Sequence, residues 1–137
     1  MRSMLLNATI TAAQSIAVVP TSELLLVDAP SSICVQANFT YGSGGTTVDA
    51  YFQTSVDGGA TWIDIAQFHF TTTSQRFVYN LNSQTPVTTE YTATDGALSA
   101  NTAKDGIVGP FYQVKLASTG TYAGNTTLRI DVSAQEP

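Results

Sequence analysis

The stretch ICVQANFTY, residues 33 to 41, decides the fold class, because an apolar side chain fills every second position from Ile33 to Tyr41. Successive side chains of a β-strand point to opposite faces, so this stretch would present one apolar face to a core and one largely polar face. The same period of two recurs along the chain, whereas helical spacing is hard to find outside the first 19 residues. The alternation therefore predicts a half-buried strand and an all-β protein.

Other segments with this pattern are bounded by Gly, Pro, Asn, Asp or Ser, which are typical of turns. They predict further strands at 23–28, 49–56, 61–70, 75–81, 112–116 and 128–132. The last two would be antiparallel neighbours joined by the turn around Gly120 and Gly124. With about eight short strands, the expected fold is a two-sheet antiparallel β-sandwich of jelly-roll or immunoglobulin-like type.

Two segments do not follow the alternation. Residues 1–19 mix helical and strand preferences, and we expect a strand or an extended arm there. Residues 83–109 form a long irregular loop, in which only 88–92 could be a strand. Loops of this length usually carry function or are disordered, so this one would either cover a sheet or reach a neighbouring molecule. We expect the whole stretch 1–137 to be one domain.

The composition excludes several functional classes. The chain has 137 residues, 43% hydrophobic and 11% charged, with a net charge of −5. A core can form, but no basic cluster is present to bind nucleic acid. With one Cys and one His, an internal disulfide and a multi-histidine metal site are impossible. No apolar run is long enough for a membrane-spanning helix, and polar residues interrupt the N-terminus too early for a signal peptide.

The sharpest local motif is SVDGGATW, residues 55 to 62, which fits the pattern S-x-D-x-G-x-T-W. Asp57 can accept hydrogen bonds from its own turn, Gly58 and Gly59 permit positive φ, and Trp62 can pack beneath the returning chain. The motif resembles the Asp-box of sialidases and related β-propellers, where it is a folding element. We therefore expect a structural hairpin built on Ser55, Asp57, Gly59 and Trp62; sugar contact and a Ca²⁺ site at Asp57 are the alternatives.

Longer stretches carry a second resemblance. The segments TVDAYFQTSVDGGATWIDIAQF (47–68), GPFYQVK (109–115) and YAGNTTL (122–128) are similar to small virion proteins of tailed bacteriophages. The resemblance covers roughly residues 45 to 133. It implies a β-sandwich structural protein of the virion, most simply a capsid decoration or cement protein that binds the major capsid protein or other virion proteins. A position at the neck or tail is the alternative. The resemblance supplies no catalytic residues.

Residues suited to catalysis do not form a recognisable set. His69, the only imidazole, lies between Phe68 and Phe70 in a predicted strand, and no Gly-x-Ser-x-Gly elbow is present. The carboxylates mostly neighbour Gly or Thr, where turn formation accounts for them. Asp95-Gly96 and Asp105-Gly106 lack the alternating oxygen ligands of a calcium loop. We therefore expect no enzyme activity, no cofactor and no metal site.

The expected mechanism is adhesion. Segments 1–19 and 83–109 would make the contacts, and the chain would form a homo-oligomer, with a trimer as the first choice and a dimer as the second. The predicted interface residues are Ile63, Ile65, Phe68, Tyr91, Leu98, Ile107 and Val108.

Two other functions stay open. A carbohydrate-binding module would need two or three exposed, coplanar aromatic side chains, drawn from Trp62 and from the six tyrosines Tyr41, Tyr51, Tyr79, Tyr91, Tyr112 and Tyr122. A small glycosidase or lyase would need an acid and base pair with shifted pKa values.

Overall fold

Eleven strands and one 3-10 turn make up the regular structure of residues 1–136, the part of the chain that a computed structural model describes. The strands are β1 (Arg2–Thr9), β2 (Gln14–Val18), β3 (Leu24–Leu25), β4 (Ser32–Thr40), β5 (Ser43–Gly44), β6 (Thr47–Ser55), β7 (Ile63–Phe70), β8 (Gln75–Asn82), β9 (Phe111–Thr119), β10 (Tyr122–Ala123) and β11 (Thr127–Gln135). The 3-10 turn spans Pro20–Ser22.

Nine of the strands form two antiparallel sheets that pack face to face, and β5 and β10 form a separate two-stranded sheet. The front sheet has the order β1-β11-β4-β8, and the back sheet has the order β2-β9-β6-β7, with β3 also paired to β9. Among the eight longer strands the first pairs with the last, the second with the seventh, the third with the sixth and the fourth with the fifth. This nested pairing is the jelly roll. The predicted β-sandwich is confirmed, and its connections follow the first of the two expected types.

Alternating side chains of both sheets fill the core. Ile33, Val35, Ala37 and Phe39 of β4 are fully buried, as their spacing predicted, and Tyr41 beyond them is half-buried. Phe39 of the front sheet stacks on Phe70 of the back sheet with 4.9 Å between ring centroids. Full burial of one such side chain contributes roughly 1.5–3 kcal/mol, so these positions hold the two sheets together.

Two expectations about strands are wrong, and the possible strand at 88–92 does not form. Segments 112–116 and 128–132 are not neighbours: β9 lies in the back sheet and β11 in the front sheet, because β10 pairs with β5 and turns the chain from one sheet to the other. The predicted strand 23–28 shrinks to Leu24–Leu25. Alternation identifies a strand, but the choice of partner depends on contacts distant in sequence.

The N-terminal stretch forms strands. β1 pairs with β11 at the edge of the front sheet, and β2 pairs with β9 at the edge of the back sheet. A register shift between Met4 and Leu6 lets two successive residues, Leu5 and Leu6, both be buried. A bulge of this kind explains the mixed sequence pattern. Residues 2–18 are thus part of the sandwich rather than an extended arm.

Candidate functional site

The loop of residues 83–109, called the covering loop below, crosses the outer face of the back sheet. It has no strand of its own and only an isolated bridge from Ala103 to Ala66. Backbone hydrogen bonds fasten it to the free edge of β7: Asp64 N to Thr94 O at 2.9 Å, Gln67 N to Thr102 O at 2.9 Å, and Lys104 N to Ile65 O at 2.8 Å. We expected this loop either to cover a sheet or to reach a neighbouring molecule, and within the chain it covers the back sheet.

Asp64 on β7 is the main fastening point of the covering loop. Its side chain is fully buried, and its carboxylate accepts hydrogen bonds from the backbone N–H groups of Gly96, Ala97 and Leu98 at 2.8 to 3.2 Å. The Thr94 hydroxyl donates to the same carboxylate at 2.9 Å. Gly96 has φ +83, a conformation that lets successive N–H groups converge on one anion. A buried carboxylate is tolerated here because backbone donors surround it.

A chain of glutamine side chains extends from Asp64 across the back sheet. Gln53 donates to Asp64 at 2.8 Å and to Asp95 at 2.6 Å, and Gln113 donates to Gln53 at 2.8 Å. Lys115 completes the chain with an ion pair to Asp95 at 2.5 Å. Partial burial opposes ionisation of Asp95, but the hydrogen bonds from Lys115 and Gln53 outweigh it and lower the pKa of this carboxyl. These polar groups satisfy one another beneath the covering loop.

The only histidine belongs to a second polar cluster on the same face. His69 Nδ1 lies 2.6 Å from Asp49 Oδ1, and Gln67 donates to the same oxygen at 2.7 Å. The backbone N–H of His69 donates to the Asn101 side chain of the covering loop at 2.9 Å. A carboxylate in this position orients the imidazole in hydrolases, where a nucleophile hydrogen-bonds to the other ring nitrogen. Among residues 1–136, no hydroxyl or thiol hydrogen-bonds to His69 Nε2, so the pair links strands to the loop and lacks a nucleophile.

The hairpin between β6 and β7 has the geometry expected of the SVDGGATW motif. Asp57 accepts hydrogen bonds from the Thr61 hydroxyl at 2.5 Å, from Thr61 N at 2.9 Å and from the Ser55 hydroxyl at 2.8 Å. Gly59 N donates to the Ser55 hydroxyl at 2.9 Å, and the Trp62 ring lies beside Gly59. The hydrogen bonds from Thr61 and Ser55 lower the pKa of Asp57 to about 2. These side-chain hydrogen bonds close the motif's own turn.

The residues predicted at an interface differ in their burial. Ile65 and Phe68 are fully buried in the core, and Leu98 is nearly so. Ile63, Ile107 and Val108 are partly buried against the core, while the Tyr91 hydroxyl donates to Asp64 O at 3.1 Å. Segment 61–70 has apolar residues on both faces for two reasons. A register shift in the pairing of β6 with β7 leaves Ile65 without a partner residue on β6, and the covering loop encloses the strand. The prediction of Ile65 and Phe68 as contact residues is therefore wrong.

None of the aromatic side chains considered for a sugar-binding platform is in the exposed class. Tyr112 and Tyr122 are fully buried, and the other four tyrosines, like Trp62, are partly buried. Within residues 1–136, no three His, Cys, Asp or Glu side chains converge in a way that could hold a metal ion. No helix of this part of the chain is long and apolar enough to cross a membrane.

Large apolar side chains are exposed at one end of the sandwich, called the apolar end below. Val27 is 98% exposed, Val56 64%, Leu25 59% and Met1 48%. Leu25 pairs with Phe111, which pairs with Ser55, so β3 and the hairpin holding Val56 lie at the same end. A groove of about 420 Å³ between Met1, Val27 and residues 134–136 adjoins them. In the sequence this surface corresponds to the apolar run from Leu24 to Val27, which we had predicted to be part of a longer strand, 23–28.

No family model, no curated protein and no solved structure matches the chain.

Proposed function

We propose that this chain is a non-enzymatic structural protein of a tailed-phage virion, a decoration or cement protein that binds the capsid shell. The observation that carries the proposal is the apolar end, where Leu25, Val27 and Val56 are 59 to 98% exposed. Exposed apolar clusters with polar surroundings mark surfaces that bind other proteins. Asp28 and Asp57 flank these residues and would form the polar rim of such a contact.

The internal use of the polar side chains also supports adhesion over catalysis. Asp64, Gln53, Gln67 and Gln113 are buried and hydrogen-bonded to one another or to the covering loop. Catalytic groups need an accessible position beside the substrate. Side chains committed to holding a loop on a sheet serve stability, and they leave the outer surfaces to make the contacts.

The fold is compatible with a role in the shell, and the resemblance to small virion proteins is the reason for preferring that role over sugar binding. Jelly rolls build viral capsid domains and also lectins, so the fold alone does not separate a shell protein from a sugar-binding protein. The similarity of residues 47–68 and 109–128 to small virion proteins favours the shell. Copies on a shell follow its local symmetry, and a homo-oligomer, with a trimer first, remains our expectation.

Co-sedimentation tests the proposal. Purified protein is mixed with capsid shells of the phage that carries the gene, assembled without this protein, and we expect it to pellet at a fixed ratio to the shell subunit. Val27→Asp should lower the affinity at least tenfold, because an ion would replace an apolar contact. The matched control is Thr121→Asp, which adds the same charge at the exposed turn between β9 and β10, at the opposite end of the sandwich.

Three results would contradict shell binding at the apolar end. The protein could stay in the supernatant at every concentration, or Val27→Asp and Thr121→Asp could pellet equally well. Pelleting with isolated tails, or a glycan-array signal, would move the protein to the neck or tail position or to carbohydrate binding.

A further inference from the structure

The arginines are gathered on one surface of the molecule. The outer face of the front sheet, called the front face below, carries all three: Arg129 on β11 and Arg76 on β8 flank Asn38 of β4 in one cross-strand row, and Arg2 lies on β1. Asp131 is the one acidic residue on this face, and it pairs with Arg129 at 2.9 Å. Within residues 1–136, Arg2 and Arg76 make no ion pair. The front face is therefore positively charged although the chain as a whole is at −5.

The opposite surface has the opposite charge. The outer face of the back sheet and the covering loop, together called the loop face below, carry more carboxylates than cations. The carboxylates are Asp49, Asp64, Glu90, Asp95 and Asp105, and the cations are Lys104 and Lys115. Glu90 and Asp95 are exposed on this face, whereas the exposed Asp105 accepts a hydrogen bond from Asn82 N at the end of β8 and so lies beside the front sheet. The sandwich is thus polarised from one face to the other.

The front face also has apolar area available for contact. Met4 and Val78 are 51% and 52% exposed, and both lie in the cross-strand row that contains Asp131 and Gln36. Polar uncharged side chains fill the rest of the face. A shallow concavity of about 750 Å³ runs between Arg2, Met4, Gln36 and Arg129. Complementary charge would set the orientation of a partner here, and the apolar groups would add to the affinity.

We propose that the front face of one copy docks on the loop face of a second copy. Charge complementarity selects this occupant, because the loop face has a net negative charge and its exposed Glu90, like Arg2 and Arg76, makes no ion pair within residues 1–136. Two front faces placed together would oppose like charges, so a two-fold dimer through this face is disfavoured. The contact is head-to-tail, so in a pair one copy keeps a free loop face and the other keeps a free front face. The inference concerns contacts between copies and does not depend on binding to a shell.

Static light scattering of the purified protein, read as the osmotic second virial coefficient, tests this contact. A chain with net charge −5 and no attractive contact repels its copies, and salt weakens that repulsion. A head-to-tail contact between opposite charges does the reverse. We expect net attraction at about 0.01 M salt, where the Debye length is ~30 Å, and a loss of attraction at about 1 M, where it is ~3 Å.

Two variants with the same change in net charge separate the contact from general electrostatics. Arg76→Glu removes a cation from the front face and should turn attraction into repulsion at low salt. Lys104→Glu removes an exposed cation from the loop face, so it should leave the attraction unchanged or strengthen it. Thermal unfolding of both variants shows whether each keeps the fold; should Arg76→Glu unfold, Arg2→Glu replaces it.

Three results would overturn the inference: repulsion of the wild type that weakens with added salt, equal effects of Arg76→Glu and Lys104→Glu, or a discrete two-fold dimer. Shell co-sedimentation of the wild type is a separate measurement. A protein that pellets with shells but shows no salt-sensitive attraction would keep the proposed function and lose this contact.

Discussion

The hydroxyl of Tyr112 lies inside the core, where its ring stacks on Phe52 with 5.3 Å between centroids, and it has no hydrogen-bond partner among the described residues. Burial raises the pKa of Tyr112, because the core disfavours the ionised form, and the neighbouring Thr54 side chain offsets only part of that rise. We expect Tyr112→Phe to raise the free energy of unfolding by about 1 kcal/mol, because the desolvated hydroxyl is removed without loss of ring packing.

Tyr122 is the matched control, because its buried hydroxyl donates to Thr71 O at 2.6 Å. Tyr122→Phe should lower the free energy of unfolding by about 1 to 2 kcal/mol, since it removes that bond and leaves a carbonyl unpaired. Urea unfolding of both variants gives the comparison. Effects of the same sign would show that Tyr112 has a partner after all.

Asp57 gives the hairpin a defined pH dependence. Its pKa is lowered from 3.8 to about 2 by hydrogen bonds from Thr61 and Ser55, so its ionised form is favoured in the folded state. The stabilisation is complete above pH 3.8 and is lost as the pH falls toward 2. Unfolding of wild type and Asp57→Asn should therefore differ most near neutral pH, and the difference should shrink between pH 4 and pH 2. A difference that is constant across this range would count against the hydrogen-bonded turn.

At the scale of elements, the covering loop depends on one side chain. Removing the carboxylate in Asp64→Ala leaves the buried N–H groups of Gly96, Ala97 and Leu98 without their acceptor, and this should cost about 3 kcal/mol or more. We expect faster hydrogen exchange and protease cleavage within residues 83–109, while β4 and β11 keep their protection. Glu90→Gln, an exposed carboxylate of the same loop, is the control and should change neither. Uniform loss of protection across both sheets would show that Asp64 supports the whole fold.

The strands were predictable because alternation is local, whereas their partners and the loop's position were not. Nothing near Tyr112 or Leu128 indicates that β9 and β11 belong to different sheets; that follows from pairing with strands up to a hundred residues away. Asp64 sits between Ile63 and Ile65 and looks like the solvent-facing member of an alternating strand, although it is fully buried. Its backbone donors Gly96, Ala97 and Leu98 lie 32 to 34 residues away, so no local pattern predicts that role. The hairpin was predictable because its donors and acceptors are within four residues of one another.

At the scale of the whole molecule, the first 19 residues decide whether the jelly roll closes. β1 and β2 are the first members of the nested pairing, one in each sheet, and Leu5, Leu6 and Ile10 are at most 5% exposed. Deleting residues 1–19 would uncover β11 in the front sheet and most of the outer edge of β9 in the back sheet. We expect the truncated chain to have no cooperative thermal transition, because removal of several buried side chains at roughly 2 to 5 kcal/mol each exceeds the stability of a typical domain.

Leu6→Ala provides the graded comparison, with an expected loss of about 2 to 5 kcal/mol and a retained cooperative transition. Circular dichroism melting of the three proteins separates the two views of the N-terminus. A truncated chain that melts cooperatively near the wild-type temperature would mean that these residues act as a detachable arm, and the front sheet would then begin at β4. If truncation abolishes the transition and Leu6→Ala only lowers the melting temperature, both sheets fold as one unit. The two outer faces of the sandwich then keep a fixed relative orientation. The proposed docking of the front face of one copy on the loop face of another requires that rigidity. In a head-to-tail contact each copy presents two opposite faces, and their relative orientation stays fixed only while the two sheets remain packed together.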